Sequence, residues 1–262
     1  MRCQTTASGK QTSVGMKTPK AKQAFAFSIL TAYGSDDPDA KQFSAFSPIP
    51  ELQRSDADVS LVFLSSNTII FAEEVDDPWY SSRRPGYVIR ASNDDSVTKQ
   101  TNFQDTPAGV LGCTIQEQYC NPNLAKENSC EPLRGLFSRT DSTLTYWQDE
   151  RQKERFRWLS SIMNAGRVDL DTVLNVLGTS ALTSRYSLFG GLQGPRPSDQ
   201  WQREVENWFN ITLTSIQSAF VEATTGPNNP SLDQWRVKPN TTDAMELCWN
   251  QVRLSHAFLR VS

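Results

Sequence analysis

The residues with the most definite chemistry in this chain are its cysteines. There are five: Cys3 in a polar tail, Cys113, Cys120 and Cys130 close together, and Cys248 near the end. Setting Cys3 aside leaves four, which allow three disulfide connectivities. The spacing Cys-x6-Cys-x9-Cys is interleaved with Asn121, Pro122, Asn123 and Asn128. Two or three sulfurs therefore share one turn-rich excursion, where a short loop closes a disulfide easily. Buried free thiols, which pack as small hydrophobes, are the competing reading. Zinc is not expected, because structural ligands usually pair about two to four residues apart, and the chain has no Cys-x-x-Cys and one histidine.

Two further motifs, like a disulfide, would suit an extracytoplasmic setting. Asn210-Ile211-Thr212 and Asn240-Thr241-Thr242 satisfy the N-glycosylation sequon. On a helix whose apolar stripe is Trp201, Val205, Trp208, Phe209, Leu213, Ile216 and Phe220, Asn210 falls about 130° from the stripe centre, facing solvent. Asn240 follows Pro239 in a polar loop.

Catalytic arrangements find little support. His256 stands eight residues from Cys248, roughly 26 Å along a strand or roughly 12 Å along a helix, too far for a direct hydrogen bond. No G-x-S-x-G elbow or phosphate-binding loop occurs. The run Gly190-Gly191-Leu192-Gln193-Gly194 reads as a flexible loop between helices. Asp56-Ala57-Asp58 resembles the opening of a calcium loop, but Leu61 and Asn67 stand where a glycine and a glutamate are needed. The acidic groups Asp36, Asp37 and Asp39, and Glu73, Glu74, Asp76 and Asp77, are candidates for the paired carboxylates of a glycoside hydrolase; solvated acidic loops are the plainer reading. Trp79, Tyr80 and Tyr87 beside Arg83 and Arg84 suit a sugar- or peptide-binding surface, against which stands simple packing.

The elements that position these residues change character along the chain. Residues 1–40 read as an extended or disordered arm with one strand over 24–32, closed by a turn-rich break at 34–39. VSLVFLS (59–65) and TIIFAE (68–73) read as a hairpin or neighbouring core strands around Ser66-Asn67. Residues 76–85 form a loop with two exposed-looking aromatics, and 87–90 and 109–119 read as strands. The second half is helical: 144–164 with a C-capping Gly166, then 169–177 ended by Gly178. A turn or two covers 182–189, and a long helix runs over 197–223, opened by a capping box of Ser198, Asp199 and Gln202 and stopped near Gly226. Residues 243–262 suit strand or helix.

Composition bounds the rest. With 37% hydrophobic and 21% charged residues and seven Trp in 262, the chain is too apolar for a disordered one and too polar for a membrane-embedded one. A net charge of −3 argues against a nucleic-acid partner, and the basic run at 17–22 reads as a solvated tail. No run approaches the about 18–20 apolar residues that span a bilayer. The first twenty residues lack an apolar signal core, which alone points to the cytoplasm.

Three segments taken together resemble the ectodomain of a group of uncharacterised fungal membrane proteins. They are RSDADVSLVFLSSNTIIFAEEVDDPWYSSRRP (54–85), VLGCTIQEQYCNPNLAKENSCEPLRGL (110–136) and AMELCWNQVRLSHAFLRVS (244–262). The resemblance implies that Cys113, Cys120, Cys130 and Cys248 form disulfides, that membrane helices lie outside this chain, and that no activity or cofactor is attached. We expect Cys120 to pair with Cys130 and Cys113 with Cys248. The expected fold is α+β, a single domain over 41–262 with a β-rich first half and a helical second half. The expected role is a non-catalytic structural or cell-wall and surface-binding one on the extracellular side or in the secretory pathway. The alternative is a secreted carbohydrate-active hydrolase.

Overall fold

A computed structural model describes residues 2–5, 24–34, 41–90, 98–125, 129–136, 145–226 and 230–231. Within them the protein is α+β, with strands through the first half, helices after residue 145, and a Cys120–Cys130 disulfide. The basic run at 17–22, the acidic residues at 36–39, Asn240, Cys248 and His256 lie outside the described residues. The chain divides into two compact units, residues 1–140 with 170–209 and residues 141–169 with 210–262.

The first unit holds two sheets. One has the order β1 (Arg2–Thr5), β7 (Gly109–Ile115), β3 (Asp58–Ser65), β2 (Ala26–Ala32), all antiparallel. In β3 and β7 buried and half-buried residues alternate as in half-buried strands. Ile29, Val62 and Leu111 share one buried face, with Thr31 and Ser60 beside them joined hydroxyl to hydroxyl at 2.9 Å. β2 is the strand read over 24–32, whereas β1 comes from a stretch read as an extended or disordered arm.

The other sheet is mixed: β5 (Arg84–Arg90), β6 (Thr98–Phe103), β4 (Ile70–Phe71), β9 (Leu192–Gln193), β8 (Leu188–Phe189). Here the hairpin expected around Ser66-Asn67 does not form, because β3 and β4 belong to different sheets. The Ser66 amide donates to Gln104 Oε1 (2.8 Å), Asn67 turns the backbone at φ 53°, and β4 lies parallel to β9, its flanking amides donating to Gly191 and Gln193 carbonyls. The glycine run is likewise no interhelical loop. Gly190 and Gly191, at φ 54° and 81°, turn the β8–β9 hairpin, a left-handed pair that suits glycine.

Aromatic rings knit this unit together. Phe25 meets Phe71 and Tyr80 edge-on, Tyr80 meets Trp79, and Trp79 meets Trp208, with centroids 5.3–6.4 Å apart. Trp79 and Tyr80 are fully buried, contrary to the exposed loop read from DDPWYSS. A loop rich in Asp and Ser enters the core here with Asp77 as its anchor, whose carboxylate accepts the backbone amides of Trp79, Tyr80 and Trp201. Helix α2 (Leu170–Leu177) buries Leu170, Val173 and Leu174, and Gly178 at φ 55° follows it as a left-handed C-terminal glycine.

In the second unit, α1 (Glu150–Gly166) starts six residues later than its periodicity suggested, because Asp149 caps it by accepting the Gln152 amide at 2.8 Å. Trp147 stacks on Phe156 at 4.9 Å. Gly166 is no left-handed cap. It is the last helical residue, and a Cβ there would sit 2.3 Å from the Ala219 Cβ on α3 (Gln200–Thr225). Gly226, at φ 93°, ends α3 by donating its amide to the Glu222 carbonyl.

Gly166→Ala normally stabilises a helix by about 1 kcal/mol. Here it should instead lower stability by about 1–3 kcal/mol through overpacking, read from the urea midpoint, and Ala219→Gly should restore much of the loss.

Candidate functional site

Among the described residues, the candidate carboxylates Glu73, Glu74, Asp76 and Asp77 do not converge. Glu73 pairs with Lys99 at 3.1 Å and Asp76 with Arg83 at 2.9 Å, both on the surface, and Glu74 is exposed without joining them. Asp77 turns inward. Its Oδ1 accepts the amides of Trp79 (2.8 Å) and Tyr80 (3.0 Å), and its Oδ2 accepts the Trp201 amide (2.7 Å). A loop residue thus caps α3 from outside the helix, at the end where the dipole favours an acid. The expected capping box is absent, since the Asp199 carboxylate bonds Arg203 instead.

Beside Asp77 lies a second buried carboxyl, Glu204, which sequence reading missed by assigning that face of α3 to the apolar stripe. The buried line of α3 is Gln200, Glu204 and Trp208, four residues apart, while Phe209 is partly exposed. Glu204 accepts from the Thr183 amide (2.5 Å), the Ser184 amide (2.9 Å), the Tyr80 hydroxyl (3.0 Å) and Gln200 Nε2 (2.8 Å). Tyr80 shares a further hydrogen bond with Ser184 Oγ at 3.0 Å.

A serine, a tyrosine and a glutamate in contact look like nucleophile chemistry, yet all three are 0% exposed and their polar groups are occupied by one another and by backbone. Burial, reinforced by Glu204, raises the Tyr80 phenol well above its usual 10, so it stays protonated and serves as a donor. Burial also raises Asp77 above its usual 3.8, against the pull of three amides. The cluster is architecture.

Among the described residues, aromatic side chains are exposed at both edges of the five-stranded sheet. Tyr87 and Val88 on edge strand β5 are 65% and 62% exposed, with Tyr87 edge-on to Phe103 at 5.2 Å and Arg83 and Arg84 exposed just before it. Of the expected aromatic trio, this strand therefore presents Tyr87 alone. At the opposite edge Tyr186 is 79% and Phe189 88% exposed, with the Arg185 guanidinium over the Tyr186 ring at 4.7 Å. An edge aromatic flanked by a guanidinium can stack on a sugar ring, a planar group or a peptide. The second unit holds a groove of about 360 Å³ lined by Thr145, Trp147, Gln148, Lys153 and Arg157.

The cysteine excursion forms a two-armed ribbon. Cys120 and Cys130 oppose each other and are bonded, as the spacing suggested, and Glu117 pairs backbone to backbone with Arg134. Arg134 contacts Glu131 at 3.0 Å and Glu117 at 3.7 Å and lies over the Tyr119 ring. Cys113 is also disulfide-bonded. Asn210 is exposed on α3, and the hydroxyl of Thr212 in its sequon donates to the Val168 carbonyl at 3.0 Å. Among the described residues no group of three or more His, Cys, Asp and Glu is placed to hold a metal, and no helix is long and apolar enough to cross a membrane. Comparison with protein-family models, curated proteins and solved structures finds no match to this chain.

Glu204→Gln keeps the shape but sets an amide NH2 against donors, and should cost about 3 kcal/mol in urea unfolding. Asp77 yields a pH test. Its folded value lies above 3.8, so its contribution to stability is complete below that pH and is lost as pH rises through the raised value. The stability of Asp77→Asn relative to wild type should therefore improve from pH 3.5 to pH 7, measured by paired denaturation curves.

Proposed function

We propose that this chain is a non-catalytic extracytoplasmic domain of a fungal membrane or cell-surface protein, with a structural or wall-binding role. The observation that carries the reading is the bonded state of Cys113, Cys120 and Cys130, because disulfides persist in oxidising compartments and are rare in the cytosol. The exposed Asn210 sequon supports the same address. The fungal assignment rests on the likeness of residues 54–85, 110–136 and 244–262. A binding role is favoured over hydrolysis by the fate of the acidic side chains: Glu73 and Asp76 are in ion pairs, while Asp77 and Glu204 accept hydrogen bonds from the core. The aromatic side chains facing solvent include Tyr87, Tyr186 and Phe189, suited to stacking on a polysaccharide.

Two measurements test this. Expressed behind a signal peptide in a secretory host, the protein should shift on endoglycosidase treatment, and Asn210→Gln should reduce the shift; free alkylation of every cysteine in the secreted protein would sink the compartment reading. In co-sedimentation with insoluble glucan or chitin, Tyr186→Ala with Phe189→Ala should cut retention about tenfold or more while leaving the urea midpoint within about 0.5 kcal/mol of wild type, as exposed positions do. Equal retention by the double variant would remove this edge as the binding surface.

A further inference from the structure

One rung of the four-stranded sheet changes from hydroxyls to sulfur. Across β2, β3, β7 and β1 its directly opposed residues are Thr31, Ser60, Cys113 and Cys3. Opposed residues of antiparallel strands have Cα atoms about 4.5 or about 5.5 Å apart, both within the about 4.4–6.8 Å that a disulfide spans. Cys113 is 1% exposed and disulfide-bonded. On one side of it the rung is closed by the Thr31–Ser60 hydrogen bond. With Cys120 and Cys130 bonded to each other, five cysteines leave Cys3 and Cys248 as the candidates for its partner.

We propose that the partner is Cys3, so that the start of the chain is sewn onto the edge of the sheet through β1. The protein's other disulfide follows the same plan, joining two residues that face each other in an antiparallel bridge. Each bond forms with loss of two protons and two electrons from two thiols, taken up by a disulfide oxidant such as oxidised glutathione, which leaves as two thiols. A strand of four residues has little pairing of its own to hold its register, and a one-residue slip would reverse its faces. A cross-link at Cys113 pins that register and keeps β7 from being an open edge. It also makes Cys248 the odd cysteine of the five.

The inference shares the oxidising compartment with the proposed function and is separable from it. The secreted full chain is alkylated under denaturing conditions without reduction and cut with trypsin and a glutamate-specific protease, which separates Cys113 from Cys120 at Glu117. The expected map contains a Cys3–Cys113 peptide, a Cys120–Cys130 peptide and alkylated Cys248. Cys3→Ser should expose one new thiol, at Cys113, and Cys248→Ser none. A Cys113–Cys248 peptide overturns the inference and leaves the compartment reading standing, whereas alkylation of all five cysteines overturns both. If Cys3→Ser is not secreted, the wild-type map alone decides.

Discussion

A carboxyl group taken out of water needs donors inside the protein, because burying it bare costs several kcal/mol. Glu204 meets that need with two backbone amides from the turn at 183–184, a hydroxyl from Tyr80 and an amide from Gln200. Those four groups come from three separate stretches of chain. The turn between α2 and β8, the loop between β4 and β5, and the first turns of α3 can close only together. Asp77 repeats the device one step away by holding the Trp201 amide.

This arrangement explains how a loop as polar as DDPWYSS enters a core. Asp77 satisfies the amides of the very residues whose rings it carries inward, and Trp79 and Tyr80 then supply the aromatic contacts to Phe25 and Trp208. The same economy empties the interior of available chemistry, since serine, tyrosine and both carboxyls are committed to one another or to backbone. At the rim, edge strands β5 and β8 hold the aromatic side chains of Tyr87 and Phe189 in water.

The stapled excursion works by different means. Its short loop encloses little apolar material, so the Cys120–Cys130 bond, the Glu117–Arg134 pairing and the Arg134 contacts with Glu131 and Tyr119 supply its order. Disulfides take this part wherever a segment is too small to bury a core.

Local signals were legible in the residues alone. The β-branched runs marked β3 and β7, helical periodicity marked α1, α2 and α3, Gly178 and Gly226 marked helix ends, and the spacing of Cys120 and Cys130 marked their bond, because each depends on neighbours within a few positions. The tertiary structure decided what depends on distant partners. It separated β3 from β4, placed Gly190 and Gly191 in a hairpin, set Gly166 against Ala219, and turned Trp79, Tyr80 and Asp77 inward. A side chain's sequence neighbours determine its local conformation, whereas its burial depends on which hydrogen-bond donors and apolar surfaces the fold brings to it from far along the chain.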